Sequence, residues 1–194
     1  MYYCAYCENK YCYKGELDKI SKNCPCNEKE MIENVKELYL ISENHKLAYN
    51  SALVESEGYC KKTRLEEIIS FSHRCGYKKL GIAFCVGLSN EARVLAEVLS
   101  ASITKEQLGI KEEEKVRPNT REAICNPIMQ ALLLNKAKTE LNIMLGLCVG
   151  HDSLFIKYST APITVFAVKD RVLAHNPLGA IYLANSYYKK KIYK

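Results

Sequence analysis

Apolar positions follow two different rhythms along this chain. Between residues 28 and 76 they recur at helical spacing. Ile32, Val35, Leu38 and Tyr39 share one face, and Leu47, Ala48 and Leu53 share another in a segment that Asn44 can cap. Thr63-Arg64-Leu65-Glu66 has the pattern of a capping box, which predicts a helix through Ile68, Ile69 and Ser72 that stops near Gly76. From residue 79 short apolar runs alternate with helical patterns. Leu80-Gly81-Ile82-Ala83-Phe84-Cys85-Val86 reads as a buried strand ended by Gly87, and Ser89 caps a helix through Ala92, Leu95, Ala96 and Leu99. Asn126-Pro127 opens another helix, with Asn as cap and Pro in the first turn, carrying Ile128, Ala131 and Leu132. Residues 141–149 and 163–168 read as two further strands, and Asn176-Pro177 starts a last helix with Ile181 and Leu183.

Strands that alternate with helices, without an Asn-Gly type of hairpin signal, predict an α/β fold, a Rossmann-like three-layer domain with a mostly parallel sheet. The chain then divides into a Cys-rich metal knuckle at 1–27, a helical segment packed on the core at 28–76, and an α/β core domain at 77–194. The polar stretch 100–119 reads as a long loop with a short helix at 104–109.

Composition narrows the class. The 194 residues suffice for a core, and 48% hydrophobic with 26% charged residues is ordinary for a globular domain. The net charge of +6 is concentrated in the closing Lys189-Lys190-Lys191-Ile192-Tyr193-Lys194, with no basic stripe elsewhere, so nucleic acid is not an expected partner. No apolar run is long enough for a membrane span, and the start lacks a charged-then-apolar leader, so a cytoplasmic, membrane-free protein is expected. Ten cysteines in a reducing compartment point to metal ligands, reactive thiols or core packing rather than disulfides.

The cysteines fall into two sets. Cys4-x2-Cys7-x4-Cys12-x11-Cys24-Pro25-Cys26 occupies a segment with too few aliphatic residues to fold by burial, where a metal would supply the stability. Its spacing predicts a tetrahedral zinc site of Cys4, Cys7, Cys12 and Cys24, with Pro25 directing Cys26 away. Cys26 as a replacement for Cys24 or Cys12, and an iron–sulfur centre instead of zinc, are the alternatives. The second set begins with a repeated tripeptide, Cys85-Val86-Gly87 and Cys148-Val149-Gly150, each closing an apolar run. Cys125 stands one residue before a helix start. A parallel sheet gathers such junctions at the carboxyl edge of its strands. Helix N-termini there favour thiolate. Three thiolates predict a [4Fe–4S] cluster with one open iron, or zinc with His151 or water as fourth ligand.

Around that edge, His151 and Asp152 are the candidate catalytic groups for proton transfer. Lys169 and Arg171 are the candidate binders of a small anionic or sulfur-containing molecule. Each has a bland counterpart, Asp152 as a helix cap and the Lys-Asp-Arg as a solvated loop. His175 reads as part of a helix start, Cys60 and Cys75 as structural, and Asn135 and Asn142 as hydrogen-bond partners within apolar stretches. The function classes in play are redox or sulfur chemistry at a cluster, a zinc carrier or sensor without catalysis, and a thiol-nucleophile enzyme using Cys85 or Cys148.

With these residues in view, the chain resembles a bacterial family catalogued as domain of unknown function 1847, often labelled metal-binding protein. The likeness rests on the N-terminal cysteine run, on Cys85-Val-Gly-Leu-Ser-Asn-Glu-Ala, and on Ala123-Ile-Cys-Asn-Pro-Ile-Met-Gln130. It continues in Asn142-Ile-Met-Leu-Gly-Leu-Cys-Val-Gly-His-Asp152 and Val168-Lys-Asp-Arg-Val-Leu-Ala-His-Asn-Pro177. It implies metal binding and names no reaction. It also implies a longer segment before Thr104, with a further cysteine-bearing strand; residues 99–103 are what stands there here. In logic alone, the three-cysteine arrangement is similar to small desulfidases that carry a cluster with an open iron.

Overall fold

With few aliphatic side chains before residue 28, the start of the chain forms single turns rather than long elements: Cys4–Tyr6, Leu17–Lys19 and Pro25–Asn27. This is a computed structural model, and it describes residues 4–95, 102–104 and 123–193. The chain divides into two units, Met1–Lys61 and Lys62–Lys194.

In the first unit the turns lead into helices α1 (Lys29–Leu40) and α2 (Ser42–Gly58). Their pairing buries little. None of the α1 residues is buried, and α2 buries only Val54 and Gly58. Asn44 does not cap α2, which begins two residues earlier; its Nδ2 donates to the Leu38 carbonyl (2.9 Å) and ties the helices together.

The second unit opens with α3 (Arg64–Arg74). Its capping box is complete: the Glu66 carboxylate accepts from the Thr63 backbone N–H (2.7 Å), and the Thr63 hydroxyl accepts from the Glu66 N–H. There follow β1 (Leu80–Phe84), α4 (Ser89–Leu95), β2 (Ser102–Thr104), β3 (Ala123–Cys125) and α5 (Pro127–Ala137). The rest is β4 (Leu141–Leu145), α6 (His151–Tyr158), β5 (Ile163–Ala167), α7 (Leu178–Tyr182) and α8 (Lys189–Ile192). Strands β1, β4 and β5 form a parallel sheet in that order, in register from Leu80 opposite Leu141 to Phe84 opposite Leu145. The chain is thus an α/β protein.

Because side chains alternate across a strand, the sheet buries both faces. Ile82, Phe84, Ile143 and Leu145 pack with Ile68 of α3 and with Leu88 and Ala92. Ala83 and Met144 face the other way, onto Ala131 and Leu134 of α5 and Phe155 of α6. Buried amides complete this second layer. Asn142 is 0% exposed, accepts from the Thr139 hydroxyl (2.8 Å) and donates to the Ser159 hydroxyl (2.8 Å). Asn135 donates to the Tyr158 carbonyl and accepts from Thr160, joining α5 to the end of α6. Gln130 does more. From α5 its Oε1 accepts from the Phe84 N–H (3.0 Å) and its Nε2 donates to the Phe84 carbonyl (3.2 Å). The outward backbone groups of Phe84, at the end of β1, are therefore satisfied by a side chain.

Two expectations need correction, and a third lies largely outside the described residues. The second strand stops at Leu145 rather than running to 149, because Gly146 turns away at φ +62° with the Leu88 side chain packed against it. Cys125 stands just before the helix start, as expected, but that junction does not belong to the parallel sheet. The cysteine closes β3, which pairs antiparallel with β2, Ser102 opposite Cys125, in a separate two-stranded sheet. Three-residue strands are too short to print a periodicity. The expected helix at 104–109 falls outside the described residues, apart from Thr104, which lies in β2.

Candidate functional site

The N-terminal cysteines converge through local turns. Gly15 donates to the Cys12 carbonyl and Cys24 to the Ser21 carbonyl, while Asn27 Nδ2 pins Ser21 (2.8 Å). Pro25, at the first position of its turn, folds Cys26 back beside Cys24 instead of away from it. The sulfurs of Cys12, Cys24 and Cys26 consequently all lie within 4.8 Å of one another. Among the described residues Cys4 and Cys7, one turn apart, stand outside that group. The Cys26 thiol is pushed up by its hydrogen bond to Cys24, then by burial and by charge on Cys24 and Cys12. Three thiols so close resist ionising together, and a bound cation removes that resistance. An apolar groove of about 740 Å³ adjoins the cluster, lined by Pro25, Met31, Ile32, Val35 and Tyr39.

In the second unit the sulfurs of Cys85 and Cys125 approach to 3.8 Å. Cys85 directly follows β1, is 4% exposed, and begins the short turn Val86–Leu88. That turn aims its amides at sulfur: Gly87 N–H at Cys85 and Val86 N–H at Cys125. Burial pushes the Cys85 thiol up, but the Gly87 amide, the Lys169 ammonium and the Cys125 thiol together hold it below the ordinary cysteine range. Cys125 goes the other way. Burial raises it, as do the charge of Cys85, the hydrogen bond to Cys85 and the charge of Cys148, against the Val86 amide. Cys148 thus stands near the pair, though not within 4.8 Å of both sulfurs.

The two Cys-Val-Gly copies are not one turn used twice. Cys85 sits at the strand end with extended backbone, whereas Cys148 comes three residues after β4, and Gly150 at φ +86° precedes α6. The Cys148 carbonyl accepts from the N–H groups of His151 and Asp152. Asp152 Oδ1 accepts from Gly150 N–H (2.9 Å) and Ser153 N–H (2.7 Å), so this carboxylate braces the turn that carries Cys148. His151 is the first residue of α6 and half-buried. Lys169 is half-buried beside Gly87 and Cys85, and Arg171 is exposed in the following turn. His175, at φ +65°, donates its N–H to the Asp170 carbonyl (2.8 Å) and helps to close that loop. Cys75 is buried and Cys60 exposed.

Sequence reasoning missed the two amides of Val86 and Gly87, which no residue type announces, and the approach of Lys169 to a sulfur. It also passed over Gln130, whose signal was available: an amide within the apolar run Ile128 to Leu134.

The fold and these clusters define a cysteine-rich α/β protein with a group of three thiols that could hold a metal ion. A family model described as protein of unknown function (DUF1847) matches residues 24–166, and the chain belongs to that family. An uncharacterized protein of the archaeon Methanocaldococcus jannaschii is 48% identical over 97% of either chain. No solved structure matches. The matched span takes in Cys24, Cys26, Cys85, Cys125 and Cys148, and begins after Cys4, Cys7 and Cys12. Among the described residues no helix is long and apolar enough to cross a membrane.

Proposed function

We propose that this chain binds metal through cysteine thiolates at two centres. The observation that carries the reading is the mutual approach of Cys12, Cys24 and Cys26 within 4.8 Å. Zinc suits that donor set. Bonds of about 2.3 Å put neighbouring sulfurs of a tetrahedral site about 3.8 Å apart, and Cys4 or Cys7 supplies the fourth sulfur. A first unit that buries so little owes its order to this ion.

The second centre is formed by Cys85, Cys125 and Cys148. A [4Fe–4S] cluster with one open iron is favoured by three sulfur donors without a fourth, by amides directed at sulfur as iron–sulfur sites use, and by the wider stance of Cys148. Zinc is favoured by the 3.8 Å between Cys85 and Cys125, the edge of a single-ion tetrahedron. When bound, the cluster supplies an open metal position for redox or sulfur chemistry on a small anionic or sulfur-containing molecule. With zinc the chain is a carrier or sensor. The chain's own groups do the rest. Asp152 holds the turn of Cys148, His151 is the group placed to move a proton, and Arg171 offers an exposed cation to an anion. Free thiols of this number fit a cytoplasmic setting.

Anaerobic purification with metal analysis and visible spectra decides the matter. The cluster reading expects brown protein that Cys125→Ala bleaches while zinc remains. The zinc reading expects colourless protein with about two zinc ions per chain. Protein that is folded, colourless and free of metal after purification without chelators would dispose of both.

A further inference from the structure

Lys169 follows β5 at the edge where the core sulfurs gather. Its Nζ lies against Gly87, 3.1 Å from where a side-chain carbon on that residue would sit, two residues past Cys85, whose thiol its charge helps to lower. The loop that carries it is braced on both sides. The Asp170 carboxylate accepts from the Val172 N–H (3.0 Å) and the Leu173 N–H (2.9 Å), and His175 Nδ1 lies 3.1 Å from the Val168 carbonyl oxygen. A lysine reaching for solvent-borne substrate needs none of this. Here the ammonium is turned inward, into space that exists because residue 87 is glycine.

The charge of the centre gives the reason. Three thiolates around one divalent ion leave a single net negative charge, and three thiolates on a dipositive four-iron cluster leave the same. Such a charge at a site where Cys85 is 4% exposed is costly unless a partner cancels it. One ammonium does so for either occupant.

Resting on the reading of Cys85, Cys125 and Cys148 as a metal centre, we infer that Lys169 is the counter-cation of that centre, lodged in the notch at Gly87 and neutralising a three-thiolate site, rather than a binder of substrate. It is a positioning residue. It stands beside the turn that carries a ligand sulfur and acts on the metal through that ligand's charge. Outer partners of this kind typically change metal affinity by about 10- to 100-fold when removed.

The test is a cobalt(II) titration of the full chain under anaerobic conditions, following cobalt–thiolate absorption. The core phase is the part of that absorption which Cys125→Ala removes; the remainder reports the N-terminal centre and serves as an internal control. Lys169→Met should weaken cobalt binding in the core phase by about 10- to 100-fold and leave the control phase unchanged. Lys169→Gln provides a second neutral variant should Lys169→Met not fold. Lys169→Arg, which keeps the charge, should restore most of the affinity. Parent-like core affinity in the neutral variants overturns the inference alone, and so does an Arg variant as weak as the neutral ones. If Cys125→Ala removes no absorption from the parent, the core centre itself is wrong and this inference goes with it.

Discussion

At the scale of single residues, Gln130 is 1% exposed and bonded twice to Phe84. It does for Phe84 what a neighbouring strand would do. Gln130→Leu keeps the volume and deprives the Phe84 N–H and carbonyl of their partners in a place water does not reach. Leaving both groups unsatisfied should cost about 3 kcal/mol, read as a lower urea midpoint with little change in slope. A midpoint equal to the parent's would mean that the edge finds other partners. The same scale separates what was legible in the cysteines. Their number and spacing mark them as candidate ligands. Which of them meet depends on Pro25 returning Cys26 to Cys24 and on a 3.8 Å approach across 40 residues. No local pattern encodes such a distance.

Elements follow their local signals where those signals are strong. Thr63 to Glu66 is a capping box in the sequence and in the structure, and Asn126 accepts from Met129 N–H (2.9 Å) as a cap should. The box also carries a pH signature. Donation from the Thr63 backbone N–H, and then from its hydroxyl, holds the Glu66 carboxyl below the usual range. A carboxyl lowered in the folded state stabilises fully above its unfolded pKa of about 4.3, and the benefit is lost as the pH falls through the lower folded value. The difference in stability between the parent and Glu66→Gln should therefore hold steady above pH of about 5 and shrink below about 4. Urea midpoints across that range check it, and a constant difference would remove the carboxylate from the account. Weak signals misled. Asn44 resembles a cap but spans two helices, and the two-stranded sheet of β2 and β3 left no trace in the hydrophobic pattern.

For the molecule as a whole, the two units rest on different physics. The second has an apolar core on both faces of its sheet, whereas α1 buries no residue and α2 buries two. Removing metal with a strong chelator under reducing conditions should therefore melt the first unit and spare the second. Limited proteolysis of the full chain is the measurement. Cleavage within 1–61, together with a persistent fragment close to Lys62–Lys194, is the expected result. Resistance of the first unit after complete metal loss would separate its order from the ion.

By itself, the sequence determined that strands alternate with helices, that two of the helices are capped by Thr63 and Asn126, and that cysteines are the candidate ligands. Those are consequences of period, capping and residue type, all of which act over a few positions. Only the tertiary structure decided which sulfurs meet, that Gln130 satisfies the backbone of Phe84, and that Lys169 lies against Gly87 beside the turn of Cys85. These depend on distances between segments far apart in the chain, which are set by packing and backbone direction rather than by neighbours in sequence.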